Sequence, residues 1–179
     1  MKAYRNNVKE TQTTPLATLN LKGKAMKGNK AVLDYMNELL AGELAARDQY
    51  FIHSRMYAEW GYNKLFERIG HEMEDETGHA EAFIRRILML GGTPKMVPAK
   101  VNIGADVVAM LKADLNTELE VQAALKKGIK LCEDEQDYVT RELMVAQLQD
   151  TEEDHAHWLE QQLGLIEMVG LQNYLQSQL

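Results

Sequence analysis

The chain has 179 residues, a net charge of −7 and a single Cys, so a single domain is expected and an internal disulfide is excluded. No apolar run approaches the ~20 residues that cross a bilayer, and no signal-peptide pattern is present, so we expect a cytoplasmic protein without a membrane partner. Residues 1–28 carry six basic side chains against one Glu, a net charge of +5, which leaves −12 on the remainder. The negative charge of this remainder favours the binding of cations and argues against nucleic acid as a partner.

Residues 1–28 lack apolar periodicity and are predicted to form a solvated extension outside the folded domain, with an anionic partner as the alternative. The domain then covers residues 29–179. Apolar residues recur there at helical spacing, which predicts helices over about 30–59, 64–90, 105–133 and 137–168. A short amphipathic helix over 171–179 has too little surface to fold alone, so it must pack on the bundle or on another subunit.

The connections predict how these helices are arranged. The first turn falls at Trp60-Gly61, and by symmetry the third falls near residue 135, where neither Gly nor Pro occurs. The 14 residues from 91 to 104 reach ~46 Å when extended, more than the ~40 Å length of a 27-residue helix. The chain can therefore cross from one end of the bundle to the other, which makes the second and third helices parallel.

The strongest chemical signal is a pair of Glu-x-x-His sequences, at 76–79 and 152–155, each with a further Glu 33 or 34 residues before it. Residues i and i+3 lie on one face of an α-helix, so each pair can grip one cation. If each interval is two antiparallel helices joined at its midpoint, both Glu residues end at the same height. The predicted cluster inside an all-α bundle comprises Glu43, Glu76, His79, Glu118, Glu152 and His155.

Four carboxylates and two divalent cations neutralise each other, and carboxylate with imidazole suits iron, manganese or zinc. The absence of Cys ligands argues against a structural zinc site or an iron–sulfur cluster. Without metal, some of these carboxylates should keep their protons. Taken singly, each Glu is an ordinary solvated residue and each His a surface His; the matched spacing favours the metal site.

Three nearby residues carry weaker predictions. Tyr50 lies on the face of Glu43 and is expected to donate a hydrogen bond or an electron beside the metals, or else to be a core residue. Asp114 is expected to orient a ligating His, or else to be a plain surface Asp. His53 is interpreted as a packing residue.

The chain resembles the bacterioferritin family, including the closely related bacterial ferritin subunit type. The resemblance runs from about Met26 to the C-terminus. It is carried by Gly42–Tyr50, His53–Met56, Asp75–Ala80, Asn102–Gly104, Asp114-Leu115-x-x-Glu118, Glu152-x-x-His155, Trp158–Glu160 and Gly170–Gln176.

The resemblance implies a ferritin-like four-helix bundle with a long crossover and a short fifth helix. It also implies a hollow shell of 24 subunits, each oxidising Fe(II) at a di-iron ferroxidase centre. The six clustered residues would be the iron ligands, with Glu76 and Glu152 as bridges. His71 and Asp75 match positions at which some family members bind an extra iron on the inner surface.

Two departures from the family follow from the same comparison of residues. The family's haem is held between two subunits by a Met directly after the Glu of the first Glu-x-x-His, and here that residue is Thr77. We therefore expect a homo-oligomer without haem, or a haem-less subunit in a mixed shell. Met26-Lys27-Gly28-Asn29 resembles the family's usual start, so residues 1–25 come from an upstream start codon or are a real addition.

Three rival functions remain at this point. The chain is another di-iron oxidase or peroxidase with an electron-transfer partner, a non-catalytic shell subunit, or a plain helical bundle that merely binds cations. Mini-ferritins that coat DNA share their iron site between subunits, whereas all six predicted ligands here lie in one chain. The preferred oxidant, dioxygen or peroxide, and the redox partner for iron release are left open.

Overall fold

The computed structural model describes residues 27–97 and 99–179, so the predicted extension over residues 1–28 falls almost wholly outside the described residues. The described chain is helical with short connections, which confirms the all-α prediction. Its elements are α1 (Lys30–Glu59), α2 (Asn63–Met89), α3 (Val107–Asp134), α4 (Tyr138–Asp150), a π-helical segment (Thr151–Ala156), α5 (His157–Val169) and α6 (Leu171–Ser177). The helix α4, the π segment and α5 follow one another without a break and form the fourth rod of the bundle.

The helices begin and end where local side-chain chemistry favours it. Asn29 and Asp106 accept hydrogen bonds from backbone N–H groups in the first turns of α1 and α3. Gly61 makes the first turn with a φ of 80°, in the left-handed region that a glycine adopts without strain. The third turn, predicted near residue 135, uses Gln136 at a φ of 58° instead, so the chain accepts a non-glycine residue there.

The connection between α2 and α3 runs along α1, as the long crossover predicted. Asn37, Gln49 and His53, in that order along α1, accept hydrogen bonds from the backbone N–H groups of residues 95, 102 and 104. A Cβ atom at Gly104 would lie 2.3 Å from the backbone nitrogen of Met110, so only glycine permits this close approach to α3. The connection therefore delivers α3 to the end of the bundle at which α2 begins, and the two helices are parallel.

Two apolar clusters fill the two ends of the bundle. One gathers Met36, Phe83, Leu125 and Met144 around the start of α1, and the other gathers residues such as Tyr57 near the end of α1. Between the two clusters, α1 and α3 each carry one buried Glu, and α2 carries two. The apolar packing therefore fixes the height at which these polar side chains meet.

The short helix α6 packs on its own bundle, at the end occupied by the second cluster. Tyr174 is 2% exposed and its hydroxyl donates to Gln162 Oε1 at 3.1 Å. Among the described residues, none of the helices combines the length and apolarity that a bilayer crossing needs.

Candidate metal centre

Five of the six predicted ligands meet at mid-height inside the bundle. Glu43, Glu76, Glu118 and His155 are at most 1% exposed, and the His79 side chain is 13% exposed. Burial of several ionisable groups without compensation is costly, so such a cluster is expected only where it serves a function.

The donor atoms form two groups that share one carboxylate. Glu43, Glu76 and His79 each offer an atom within 4.8 Å of the others, and so do Glu76, Glu118 and His155. The arrangement thus provides two neighbouring positions for a cation, with Glu76 between them. A carboxylate with two oxygens is suited to such a bridging position.

Several of these atoms approach one another without forming hydrogen bonds. Nδ1 of His155 lies 3.2 Å from Glu76 Oε1 and 3.5 Å from Glu118 Oε2. Yet these three atoms and Glu43 Oε2 are buried without a hydrogen-bond partner among the described residues. Convergent buried oxygen and nitrogen atoms of this kind match the ligand chemistry of a first-row metal ion.

The protonation of the cluster follows from burial and crowding. Burial, reinforced by the charge of Glu76, raises the pKa of Glu43 well above its usual range, and burial raises the pKa of Glu118 to about 7. Burial also pushes the pKa of Glu76 upward, but the neighbouring His155, His79 and Glu43 outweigh it and lower this pKa to about 2.

Both imidazoles respond to the same carboxylates. Burial alone would lower the pKa of His79, but its hydrogen bond to Glu76 outweighs burial, so the pKa is raised. Burial is likewise outweighed at His155, chiefly by Glu118, and its pKa is raised. The raised pKa values of both imidazoles and of Glu43 favour their protonated forms, so protons supply part of the compensating charge in the free protein.

Tyr50 lies at the edge of the cluster, where the sequence placed it. It is fully buried and its hydroxyl donates a hydrogen bond to Glu118 Oε1. Burial and the charge of Glu118 raise the pKa of Tyr50 well above its usual range, so the phenol keeps its proton and acts as a donor.

Glu152 does not join the cluster, which departs from the sequence prediction. Its side chain is 43% exposed and forms an ion pair of 2.6 Å with Lys126. The cause is the π-helical segment Thr151–Ala156. Hydrogen bonds joining residues five apart give roughly 4.4 residues per turn, so side chains three apart point roughly 110° apart rather than about 60°. Glu152 and His155 therefore face different sides, and Glu152 lies outside the cluster in this structure.

The Glu43–Glu76 interval has 33 residues and the Glu118–Glu152 interval has 34. This difference of one residue was a signal of the changed register in the fourth rod. The residue 33 positions after Glu118 is Thr151, which is fully buried, with a hydroxyl that lacks a hydrogen-bond partner among the described residues. One additional residue in the last rod thus moves Thr151 inward and Glu152 outward.

Sequence reasoning did not identify three residues beside the site: Glu72, Arg68 and Asp154. Glu72, one turn before Glu76 and 2% exposed, reaches His155 Nε2 at 2.9 Å. Arg68 lies 2.7 Å from carboxylate oxygens of both Glu72 and Asp154. Glu72 stands on the same helix face as Glu76, and this spacing was the available signal.

Asp114 is buried, but it orients His53 rather than a residue of the metal cluster. Nδ1 of His53 lies 2.8 Å from Asp114 Oδ1, and Gln49 Nε2 donates to the same oxygen at 2.8 Å. Because His53 accepts the backbone N–H of Gly104 through Nε2, its Nδ1 must carry the hydrogen that is donated to Asp114. This network fastens the crossover connection to α1 and α3.

Two clefts approach the cluster from opposite sides. One of about 270 Å³ lies between α1, α3 and the connection, and Glu43 forms part of its lining. The other, of about 530 Å³, lies against α2 and α4 and is lined by His79, Asp150 and Asp154. Small ions and molecules can therefore approach the group of Glu43, Glu76 and His79 from both sides.

The remaining predicted positions lie on the surface of α2. Nδ1 of His71 is 2.9 Å from Asp75 Oδ2, so these two residues pair with each other. The exposed Thr77 donates its hydroxyl to the backbone oxygen of Met73 at 2.9 Å, within its own helix.

A helical bundle with two carboxylate–imidazole groups that share one Glu is typical of the di-iron carboxylate class. Comparison with known proteins agrees, since a model of the ferritin-like domain matches residues 33–169. The chain therefore belongs to the ferritin family, as the resemblance predicted.

Named relatives cover most of the chain. A bacterial ferritin of Neisseria meningitidis is 79% identical over 154 residues, which make up 86% of this chain and the whole of that protein. A bacterial ferritin of Pseudomonas aeruginosa is 63% identical with the same coverage. A bacterioferritin of Mycobacterium leprae is 40% identical over 83% of this chain and 94% of its own length.

Proposed function

We propose that this protein stores iron: it oxidises Fe(II) at a dinuclear site within each subunit and keeps the ferric product inside a shell of 24 subunits. The observation that carries the proposal is the shared position of Glu76 between two carboxylate–imidazole groups. Membership of the ferritin family and the similarity to proteins named bacterial ferritin support it.

In this reaction the chain supplies ligands and a route for protons. Glu43 and His79 hold one Fe(II), Glu118 and His155 hold the second, and Glu76 bridges them. Each Fe(II) gives up one electron. Hydrogen peroxide takes two electrons and two protons and leaves as two water molecules, whereas dioxygen takes four of each. Tyr50 keeps Glu118 oriented through its hydrogen bond.

The charge of the ligand set matches the ferrous substrate better than the ferric product. Three buried Glu ligands carry a charge of −3 at most, which nearly balances two ferrous ions but leaves a large positive excess with two ferric ions. The site alone therefore does not neutralise the ferric product. The acidic cleft lined by Asp150 and Asp154 offers it a path away from the site.

Assembly into a shell is supported by apolar side chains left exposed on single subunits. Phe51, Leu88, Val139 and Met168 are each at least half exposed. These side chains are candidates for contacts between subunits. Twenty-four copies of a 20.4 kDa chain give about 490 kDa, which size-exclusion chromatography with light scattering measures directly. A monomer or dimer as the sole species would contradict the shell.

We infer that the homo-oligomer binds no haem in the family's manner, because Thr77 offers no thioether and its hydroxyl is engaged within α2. A mixed shell, with a second subunit type that does bind haem, is compatible with the same residue. A Soret band at half-stoichiometric haem in the purified homo-oligomer would contradict this inference.

The rival assignment, an oxidase or peroxidase of an organic substrate, requires a pocket beside the metals. The cleft that reaches Glu43 has about 270 Å³. This is below the ~300–1,000 Å³ typical of sites for organic ligands. The cleft at His79, of about 530 Å³, falls within that range, but its lining includes the carboxylates of Asp150, Glu153 and Asp154, which favours cations over an organic substrate.

Stopped-flow measurement of Fe(II) oxidation tests the proposal. Glu76→Gln keeps the volume of the side chain but removes the bridging charge, so we expect the rate to fall at least about tenfold. Glu81→Gln is the matched control, because Glu81 lies on the same helix, is exposed and pairs only with Arg85 among the described residues. Equal rates in the wild type and Glu76→Gln would favour an inert bundle.

A further inference from the structure

Each imidazole of the metal centre is held by a carboxylate at the nitrogen that faces away from Glu76. Nε2 of His79 lies 3.0 Å from Asp150 Oδ2, and Nε2 of His155 lies 2.9 Å from Glu72 Oε2. A carboxylate at Nε2 retains the hydrogen on that atom, so the Nδ1 lone pair of the neutral ring points to the metal position.

The two supporting carboxylates differ in their surroundings. Glu72 is almost fully buried and paired with Arg68. Asp150 has a side chain that is 43% exposed, and its only ion-pair contacts among the described residues are with the two imidazoles, at 3.0 and 3.9 Å. Among the described residues, Asp150 therefore pairs with no charged group other than the imidazole rings of the site.

The π-helical segment places Asp150 on the side of the rings, within hydrogen-bond distance of His79 but 3.9 Å from His155, too far for a hydrogen bond. Asp150 stands five residues before His155. In a regular α-helix, side chains five apart point about 140° apart, but in a π-helix they point only roughly 50° apart. The residue that turns Glu152 away from the site thus turns Asp150 toward it.

We propose that Asp150 is the positioning residue for the metal site formed by Glu43, Glu76 and His79. It fixes the tautomer and the orientation of His79 from the cleft on the α2/α4 side. Glu72 lies in the corresponding place beside His155, but its contact lacks the geometry of a hydrogen bond. The inference rests on the proposed function, because it takes this group of three residues to bind metal.

Cobalt titration of the assembled, metal-free protein tests the inference, because Co²⁺ absorption reports the geometry of each site. Wild-type protein is expected to bind two Co²⁺ per subunit. Asp150→Ala should weaken one site by about 10- to 100-fold and leave the other unchanged. Asp150→Asn keeps an oxygen that accepts the Nε2 hydrogen, so it should restore part of the affinity.

Glu142→Ala is the matched control, since it removes another exposed carboxylate of the fourth rod that contacts Arg141 rather than a ring. It should leave both sites intact. Wild-type affinity in Asp150→Ala, equal weakening of both sites, or an equal loss in Glu142→Ala would each overturn the inference. A wild-type protein that binds no Co²⁺ would instead overturn the proposed function itself.

Discussion

Metal binding is expected to release protons from His79, His155 and Glu43. All three groups have raised pKa values in the free protein and must be deprotonated to act as ligands. Glu118, with a pKa of about 7, adds a fraction of a proton. Because protons leave on binding, affinity must rise with pH, by about tenfold per pH unit for each proton released.

Isothermal titration calorimetry with redox-inert Zn²⁺, repeated in buffers that differ in ionisation enthalpy, counts these protons. Glu43→Gln cannot carry the carboxyl proton, so it should release about one proton fewer. Glu152→Gln should match the wild type, because Glu152 lies at the surface. Release of less than one proton by the wild type, or no difference in Glu43→Gln, would refute the protonation scheme.

Two further predictions concern the surroundings of the site. Arg68→Ala leaves the buried Glu72 without its cation, so the free energy of unfolding should fall by about 2 kcal/mol, measured by denaturant titration. Arg85→Ala, on an exposed pair, should change it by less than about 0.5 kcal/mol, and equal effects would contradict this account. Asp114→Ala removes the partner of His53 and should speed hydrogen exchange at the Gly104 amide at least about tenfold. An unchanged exchange rate would show that the crossover connection is held by other contacts.

The fold was predictable because its signals are local and periodic. Apolar spacing located all four rods to within about two residues, and the length of the 91–104 connection predicted the parallel pair. The height of the site was also predictable, since Glu43 and Glu76 lie at equal distances from a glycine turn. The turn at Gln136 shows the limit of such signals, because nothing in the sequence marks a non-glycine residue that adopts the left-handed conformation.

The ligand set was predicted less completely, because it depends on the hydrogen-bond register of one helix. The two side chains of a Glu-x-x-His pair point to the same side in an α-helix but not in a π-helix. The π segment therefore separates Glu152 from His155. The Glu118–Glu152 interval is one residue longer than the Glu43–Glu76 interval. The additional residue was attributed to the third turn rather than to the fourth rod. Asp150 had no signal at all until that register was known.

The direct test of the dinuclear site is an anomalous difference map from crystals of the assembled protein soaked with Zn²⁺ or, without oxygen, Fe(II). The account predicts two peaks in every subunit, about 3.5–4 Å apart on either side of Glu76. One peak should lie beside Glu43 and His79, and the other beside Glu118 and His155. A single peak, or a peak bound by Glu152, would contradict the account.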